Sequence, residues 1–338
     1  MKSAVRSILP ALPVCAMTLL ILDAKTALSG ASDGLELCIR VVLPSLFPFI
    51  FLSVLLTGSL SGRRIPWLEP LGRLCGIPAG AEGLLAVGLM GGYPAGAQSI
   101  AQAYRNGSLS RADAHRMLGF CSNAGPSFLF GILGTVFEPA ALWALWGIHI
   151  LSALLTGMLL PGRSIRRISE NEGNSPTLPE ALERSLKTMV SVCGWVILFR
   201  VLLAFARRWF LWLLPPDGQI LCSGLLELTN GCCLLPEASG PGARFVLASA
   251  LLAFGGICVC LQTVSVTADL GTGQYFPGKR LQTTISLLLS LPAQRLLYPA
   301  AEQWDIHPAL YLLPVAVLLH FLAKNTEIPG SIFTRQGV

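Results

Sequence analysis

The chain has 338 residues, of which 12% are charged and 53% are hydrophobic. A soluble domain is about 25% charged, so this composition excludes an ordinary soluble enzyme, a nucleic-acid-binding protein and a disordered chain. Glycine (34 residues) and proline (23 residues) are frequent, and both interrupt helices. We therefore predict an all-α, polytopic integral membrane protein with broken helices.

For the first 40 residues we predict one membrane span and a segment that connects it to the next span. Residues 8–22 are apolar and follow two basic residues, which predicts an uncleaved first span. A cleaved signal peptide is the alternative, although no clear cleavage site follows. Residues 23–40 mix polar and apolar positions and predict an amphipathic connection. Residues 41–60 are again apolar and predict the next span.

Residues 82–101 are apolar but contain too many helix breakers for one regular span. If this segment crossed the membrane, Arg105, Arg111 and Arg116 would lie outside, against the positive-inside rule. A hairpin that enters and leaves on the same side keeps these arginines inside. We therefore predict a re-entrant hairpin.

A polar linker at residues 163–180 divides the chain into two similar halves. Residues 41–162 and 181–323 each show a span, a short glycine-interrupted segment, a second broken segment and a further span. Residues 324–338 form a polar tail. Charge placement puts both Lys279 and Arg280 on the inside, before a late span. This pattern predicts an inverted repeat, in which paired broken segments mark a transporter site.

The first broken segment has the sequence GGYPAGAQ and cannot form a regular helix, because proline removes a backbone donor. Freed backbone groups must be buried in protein or must line a wet cavity. Exposed N–H groups at a half-helix end can bind an anionic cargo. Packing of small residues at a kink is the structural alternative. The residues expected to contact cargo here are Gly91, Gly92, Tyr93, Pro94, Gly96 and Gln98.

The second broken segment has the sequence SNAGPS and follows a polar turn. Before it, Ser110 and Asp113 predict a helix N-cap. Its asparagine amide can both donate and accept hydrogen bonds, and interhelical packing is again the alternative. The cargo contacts expected here are Ser122, Asn123 and Gly125.

Glu227 is the only acidic residue in the apolar stretch 219–235. An ionisable group in a membrane segment is costly and indicates function by default. We expect Glu227 to bind a coupling cation or proton, H+ or Na+. A structural pairing with Arg200 is the alternative. The polar residues expected to line the same cavity are Thr229, Asn230, Gln262 and Ser265.

The ten cysteines and four histidines show no metal-ligand spacing and no disulfide framework. No phosphate-binding loop, nucleophile elbow or metalloprotease motif occurs. We therefore expect no metal, no cofactor and no enzymatic activity.

Four motifs resemble the YlbJ family of sporulation integral membrane proteins. They are GYPAGA at 92–97, the turn at 106–110, FCSNAGP at 120–126 and LELTNG at 226–231. The resemblance covers roughly residues 28–300. The family carries the nucleoside-recognition Gate domain and is similar to concentrative nucleoside transporters. In those proteins, two re-entrant hairpins and two broken helices enclose the site.

The resemblance implies a role in bacterial endospore formation, in the mother cell's outer forespore membrane. It implies transport of a small organic anion, dipicolinate, whose carboxylates the glycine-rich half-helix ends would hold. The partners are then membrane lipid and the small anion, with no nucleic acid, and a homo-oligomer stays open. The alternatives are a nucleoside transporter and a non-transporting scaffold for spore-envelope assembly.

Overall fold

The computed structural model describes residues 11–60, 63–164, 168, 176–299, 318 and 320. Its elements in these ranges are helices, with no β-strand. The expected last span at 308–323 and the polar tail at 324–338 fall almost wholly outside the described residues. Helices that are long and apolar enough to cross a membrane are Ala24–Ser59, Pro139–Leu159, Leu178–Trp209 and the broken pair Pro241–Val266. The prediction of an all-α, polytopic membrane protein is confirmed.

The first half begins with a short helix and one long continuous helix. A π-helical turn, Cys38–Val42, joins two α-helices without a break. Residues 23–40 therefore extend the long helix, and the prediction of a separate connecting segment is wrong. The helices of this half are α1 (Ala11–Leu22), α2 (Ala24–Leu37), α3 (Leu43–Leu60), α4 (Glu69–Leu74), α5 (Glu82–Met90), α6 (Ala95–Arg105), α7 (Arg111–Leu118), α8 (Pro126–Ile132) and α9 (Pro139–Leu159).

The second half repeats this order of elements. A long helix is followed by two short helices, a broken helix pair and another long helix. Its helices are α10 (Leu178–Trp209), α11 (Pro216–Leu226), α12 (Leu228–Leu234), α13 (Pro241–Phe254), α14 (Gly256–Val266) and α15 (Tyr275–Leu297). A capping box between Thr177 and Glu180 fixes the start of α10.

Helices α2 and α10 pack against each other in antiparallel directions. A Cβ atom at Gly30 would lie 2.9 Å from the Cα of Val201, and one at Gly34 would lie 2.9 Å from the Cα of Ile197. The Gly-x-x-x-Gly spacing thus lets the two backbones approach closely. The first long helix of each half therefore runs opposite to the other, as an inverted repeat requires.

Each half contains a hairpin of two short helices that meet at glycines. In the first hairpin, a Cβ atom at Gly96 of α6 would lie 3.0 Å from the Cα of Gly88 of α5. In the second, a Cβ atom at Gly231 of α12 would overlap the Cα of Gly224 of α11. Helix α6 has 11 residues, or roughly 17 Å, which is short of a bilayer core of about 30 Å.

Arg116 marks one end of the helical bundle. Its guanidinium is buried and donates to the carbonyls of Gly157 (2.5 Å), Leu160 (3.3 Å) and Gly76 (3.1 Å). It therefore binds the end of α9 to the loop that leads into α5. His115, one residue earlier, is 2.8 Å from the carbonyl oxygen of Leu270.

Both ends of the first hairpin lie at this end of the bundle. Arg105, at the end of α6, forms an ion pair with Asp269 (2.9 Å), next to Leu270. The start of α5 follows Gly76, which Arg116 binds. The hairpin thus returns to the end from which it starts. Its re-entry into a membrane from one side stays a prediction.

Candidate functional site

A cavity of about 40 Å³ lies where the long helices, the hairpins and the broken pairs meet. The first long helix of each half supplies part of its apolar wall. A cavity of this size has room for a few water molecules but not for an organic cargo. The polar side chains in its lining are Ser45, Tyr93, Glu227, Thr229 and Gln262.

Tyr93 connects the break of the first hairpin to the second half. Its hydroxyl donates to the carbonyl oxygen of Leu252 in α13 (3.2 Å) and accepts a hydrogen bond from Lys279 (2.8 Å). The side chain is 6% exposed. The break between α5 and α6 thus places an aromatic ring in the cavity wall, with its hydroxyl group directed to an ammonium group.

Lys279 is a buried basic side chain whose hydrogen-bond partners are all neutral. Its side chain is 1% exposed. The ammonium lies 4.8 Å from the centre of the Tyr93 ring. No ion pair in the part of the chain that the structure describes includes it. Its acceptors are the Tyr93 hydroxyl (2.8 Å), the Ser122 carbonyl (2.6 Å), the Gln282 amide oxygen (3.0 Å) and the Ala253 carbonyl (3.4 Å).

Asn123 holds the break between α7 and α8 in place. Its amide nitrogen donates to the carbonyls of Gly88 (3.0 Å) and Phe120 (2.7 Å), and its amide oxygen accepts from Gln282 (2.8 Å). His149 of α9 accepts the N–H of the next residue, Ala124, through Nε2 (3.2 Å). The Asn123 amide and the Ala124 N–H group of this break therefore have partners inside the protein, as burial requires.

Glu227 is the N-cap of α12 and is 2% exposed. Its carboxylate accepts from the backbone N–H groups of Thr229 (3.0 Å) and Asn230 (2.9 Å), and from the Asn230 side-chain amide (2.8 Å). The backbone at Glu227 is extended (φ −144°, ψ 119°), which separates α11 from α12. The donors at the start of α12 are therefore bound to the chain's own carboxylate.

Arg200 does not pair directly with Glu227. No ion pair between them occurs within the described ranges. The stem of Arg200 packs over Gly34, where a Cβ atom would lie 3.1 Å from the Arg200 Cβ. Glu227 is thus stabilised by hydrogen bonds from the start of α12 and not by a salt bridge.

No group of three or more His, Cys, Asp or Glu side chains that could hold a metal ion occurs in residues 11–60, 63–164, 168, 176–299, 318 and 320. Glu227 is the acidic side chain in the cavity wall.

The structure brings five of the residues proposed from sequence together in one cavity wall. They are Tyr93, Gly125, Glu227, Thr229 and Gln262. Three more stand directly behind this wall and fix its backbone through the hydrogen bonds described above. They are Ser122, Asn123 and Asn230.

The remaining proposed residues lie elsewhere. Gln98 accepts a hydrogen bond from Thr188 of α10 (3.1 Å). Ser265 is exposed and donates to the carbonyl of Leu261 in its own helix (2.9 Å). Four residues of the first hairpin are buried in its packing and are not part of the cavity lining. They are Gly91, Gly92, Pro94 and Gly96.

Lys279 and Gln282 were missed by the sequence analysis. The prediction that Lys279 flanks a span on the inside is wrong, because it lies within α15 and is buried, whereas Arg280 is exposed. A signal was present in the spacing of polar residues along α15. Residues 279, 282, 286, 290 and 294 recur every three or four positions, which places them on one helical face, and all five are buried.

The chain is similar to the sporulation integral membrane protein YlbJ of Bacillus subtilis (strain 168). The alignment of the two is 331 positions long, with 27% identity, and it covers 82% of this chain and 79% of that protein. No family model matches the chain. No solved structure matches it either. The resemblance inferred from the four motifs is confirmed, while the Gate domain stays a prediction.

Proposed function

We propose that this YlbJ-like membrane protein transports a small organic anion, dipicolinate, across the outer forespore membrane during sporulation. The name of the Bacillus subtilis relative supports a role in sporulation and a place in the membrane. The observation that most supports a transport function is the cavity between the two halves. It is lined in part by interrupted helices, and it has a buried carboxyl group in its wall and the amine of Lys279 behind Tyr93.

Burial of two ionisable groups favours a functional site over a scaffold. Each buried charge is costly in a membrane protein, and such groups face the interior and mark the path of a substrate or ion. Replacing them with apolar side chains would often stabilise a fold. A scaffold for spore-envelope assembly has no need for Glu227 and Lys279 at an internal cavity.

Glu227 supplies a means of coupling. An ionised carboxylate in a cavity wall of low dielectric would repel an anionic cargo. Binding of a proton or a cation at Glu227 removes this repulsion. Cargo and coupling ion then bind with positive cooperativity, and each increases the affinity of the other.

Uptake by purified protein in liposomes tests the proposal. We expect labelled dipicolinate to accumulate in these vesicles above the level of protein-free vesicles, and labelled uridine to stay at that level. Uptake of uridine alone would favour the nucleoside transporter. Uptake of neither ligand, with a folded protein, would favour the scaffold.

A further inference from the structure

We propose that Lys279 binds a carboxylate group of the cargo, and that this carboxylate takes the place of the Tyr93 hydroxyl as a partner of the ammonium. The inference rests on the proposed function, because it names the charge with which the same cavity recognises its cargo. The ligand class is a small organic carboxylate.

None of the present partners of Lys279 can serve as a counterion to its ammonium form. Four neutral acceptors lie within 3.4 Å of the ammonium. Hydrogen bonds between an ammonium and a carboxylate are roughly twice as strong as those between neutral groups. Attraction between opposite charges increases further in a site from which water is excluded. An entering carboxylate is therefore a better partner for Lys279 than a neutral hydroxyl.

Tyr93 is where the exchange takes place. Of the four residues that supply acceptors to Lys279, Tyr93 belongs to the cavity lining, and Ser122, Ala253 and Gln282 do not. The Tyr93 hydroxyl also has a second partner, the Leu252 carbonyl. It can thus release the ammonium without becoming an unsatisfied buried group. A carboxylate in the cavity would meet the ammonium once the Tyr93 ring turns aside.

The aromatic lining adds a preference for a planar ligand. Phe128 and Tyr93 both line the cavity, and aromatic rings favour offset or edge-on contacts with another ring. The cavity must widen before it admits such a ligand.

Direct binding to the purified full-length protein tests the assignment. The probe is labelled pyridine-2,6-dicarboxylate, and pyridine-2,6-dimethanol is its uncharged counterpart. Lys279→Gln should weaken binding of the dicarboxylate by about 10-fold to 100-fold, as loss of a charged hydrogen bond does. It should weaken binding of the dimethanol much less, because a neutral hydroxyl forms a weaker hydrogen bond with the ammonium than a carboxylate does. Lys187→Gln is the matched control, because Lys187 is exposed and paired with Glu183 (2.7 Å), and it should bind as the wild type does.

Tyr93→Phe gives a second test with an opposite sign. This variant keeps the ring but removes the hydroxyl that competes for the ammonium, so the dicarboxylate should bind roughly 2-fold to 10-fold more tightly. Unchanged or weaker binding would overturn the exchange. The Phe variant decides the matter if Lys279→Gln does not fold.

The two proposals fail in different ways. A wild-type protein that does not bind the dicarboxylate overturns the proposed function together with this inference. A wild type that binds it, with a folded Lys279→Gln variant of equal affinity, overturns the role of Lys279 alone.

Discussion

The amide nitrogen of Gln282 lies 2.8 Å from the amide oxygen of Asn123, and this contact joins α15 to the break between α7 and α8. Gln282 also accepts a hydrogen bond from Lys279 (3.0 Å). The break in one half is thus bound to a long helix of the other through a chain of buried polar groups. A hydrogen-bonded network of buried side chains favours one packing of the helices when every polar group in it has a partner.

Gln282→Leu should destabilise the protein by about 1–3 kcal/mol, because it leaves the Asn123 oxygen buried without a donor. Asn123→Leu should cost as much or more, and it should also abolish transport. The double variant should be less destabilised than the sum of the two, by at least about 0.5 kcal/mol. Unfolding in detergent measures this coupling. Additive effects would show that the two amides are energetically independent.

Gly34→Leu should disrupt the packing of α2 on α10, because its side chain would overlap the backbone of α10 near Ile197. Overpacking of this kind costs about 1–3 kcal/mol. Gly194→Leu is the matched control, since it lies in α10 itself and a Cβ atom there would meet nothing within 4 Å. A lower unfolding temperature in detergent is expected for Gly34→Leu alone. Equal unfolding temperatures for the two variants would contradict the antiparallel contact.

Composition and chain order predicted the helical membrane fold, both broken segments and most of the cavity's polar lining. The continuity of residues 23–40 with the next helix was not predicted. Polar residues in this segment obscured the Gly30 and Gly34 spacing that packs it against α10. The sequence of residues 23–40 alone does not indicate that the long helix begins here. Its packing against α10 stabilises the helix despite the low apolar content of this segment.

The position of Lys279 shows a different limit of the sequence. A lysine before an apolar run is normally a flanking charge, and adjacent Arg280 follows that rule. Lys279 is buried because Tyr93, Ser122 and Ala253 reach it from distant parts of the chain. Only the three-dimensional contact supplies these acceptors, although the spacing of polar residues along α15 gave a local sign.

Residues 73 and 111 should lie on the same side of the membrane, if the first hairpin is re-entrant. Both residues lie near the end of the bundle that Arg116 marks. The carbonyl of Arg73 accepts a hydrogen bond from Arg163 (3.0 Å), and Arg111 donates to the carbonyl of Leu270 (3.3 Å). Single cysteines at 73 and 111, in a background without native cysteines, should both react with an impermeant reagent from the cytoplasmic side. Labelling of residue 111 from outside would show that the segment spans the membrane.

Glu227→Gln should remove the dependence of cargo affinity on sodium and weaken its dependence on pH. Neutral glutamine keeps the shape of the side chain and imitates the loaded carboxylate. In the wild type, lower pH or more coupling cation should tighten dipicolinate binding. The variant should bind without a sodium dependence, should keep only the pH dependence that protonation of Lys279 contributes, and should fail to concentrate cargo. Glu183→Gln, at an exposed site, is the control. The same dependence in wild type and Glu227→Gln would make Glu227 a structural cap.

Titration of Asp269 should not contribute to the pH dependence of cargo affinity between pH 5 and 8. Hydrogen bonds from Arg105 hold the pKa of Asp269 below its usual range. A lowered pKa gives stability that is present above the unfolded pKa of about 3.9 and is lost as pH falls through the folded value. Asp269→Asn should therefore cost a constant amount, below about 1 kcal/mol for an exposed pair, between pH 5 and 8. A cost that changes over this range, measured by unfolding in detergent, would contradict this assignment.

Counterflow of labelled dipicolinate tests the central claim most directly, since it requires a binding site that faces both sides in turn. Vesicles loaded with unlabelled dipicolinate and containing the wild type or Lys187→Gln should take up the label transiently. Vesicles with an equal amount of folded Lys279→Gln should stay at the level of protein-free vesicles. Wild-type vesicles that show no transient uptake, or equal uptake by the Lys279→Gln protein, would contradict a carboxylate transport site between the two halves.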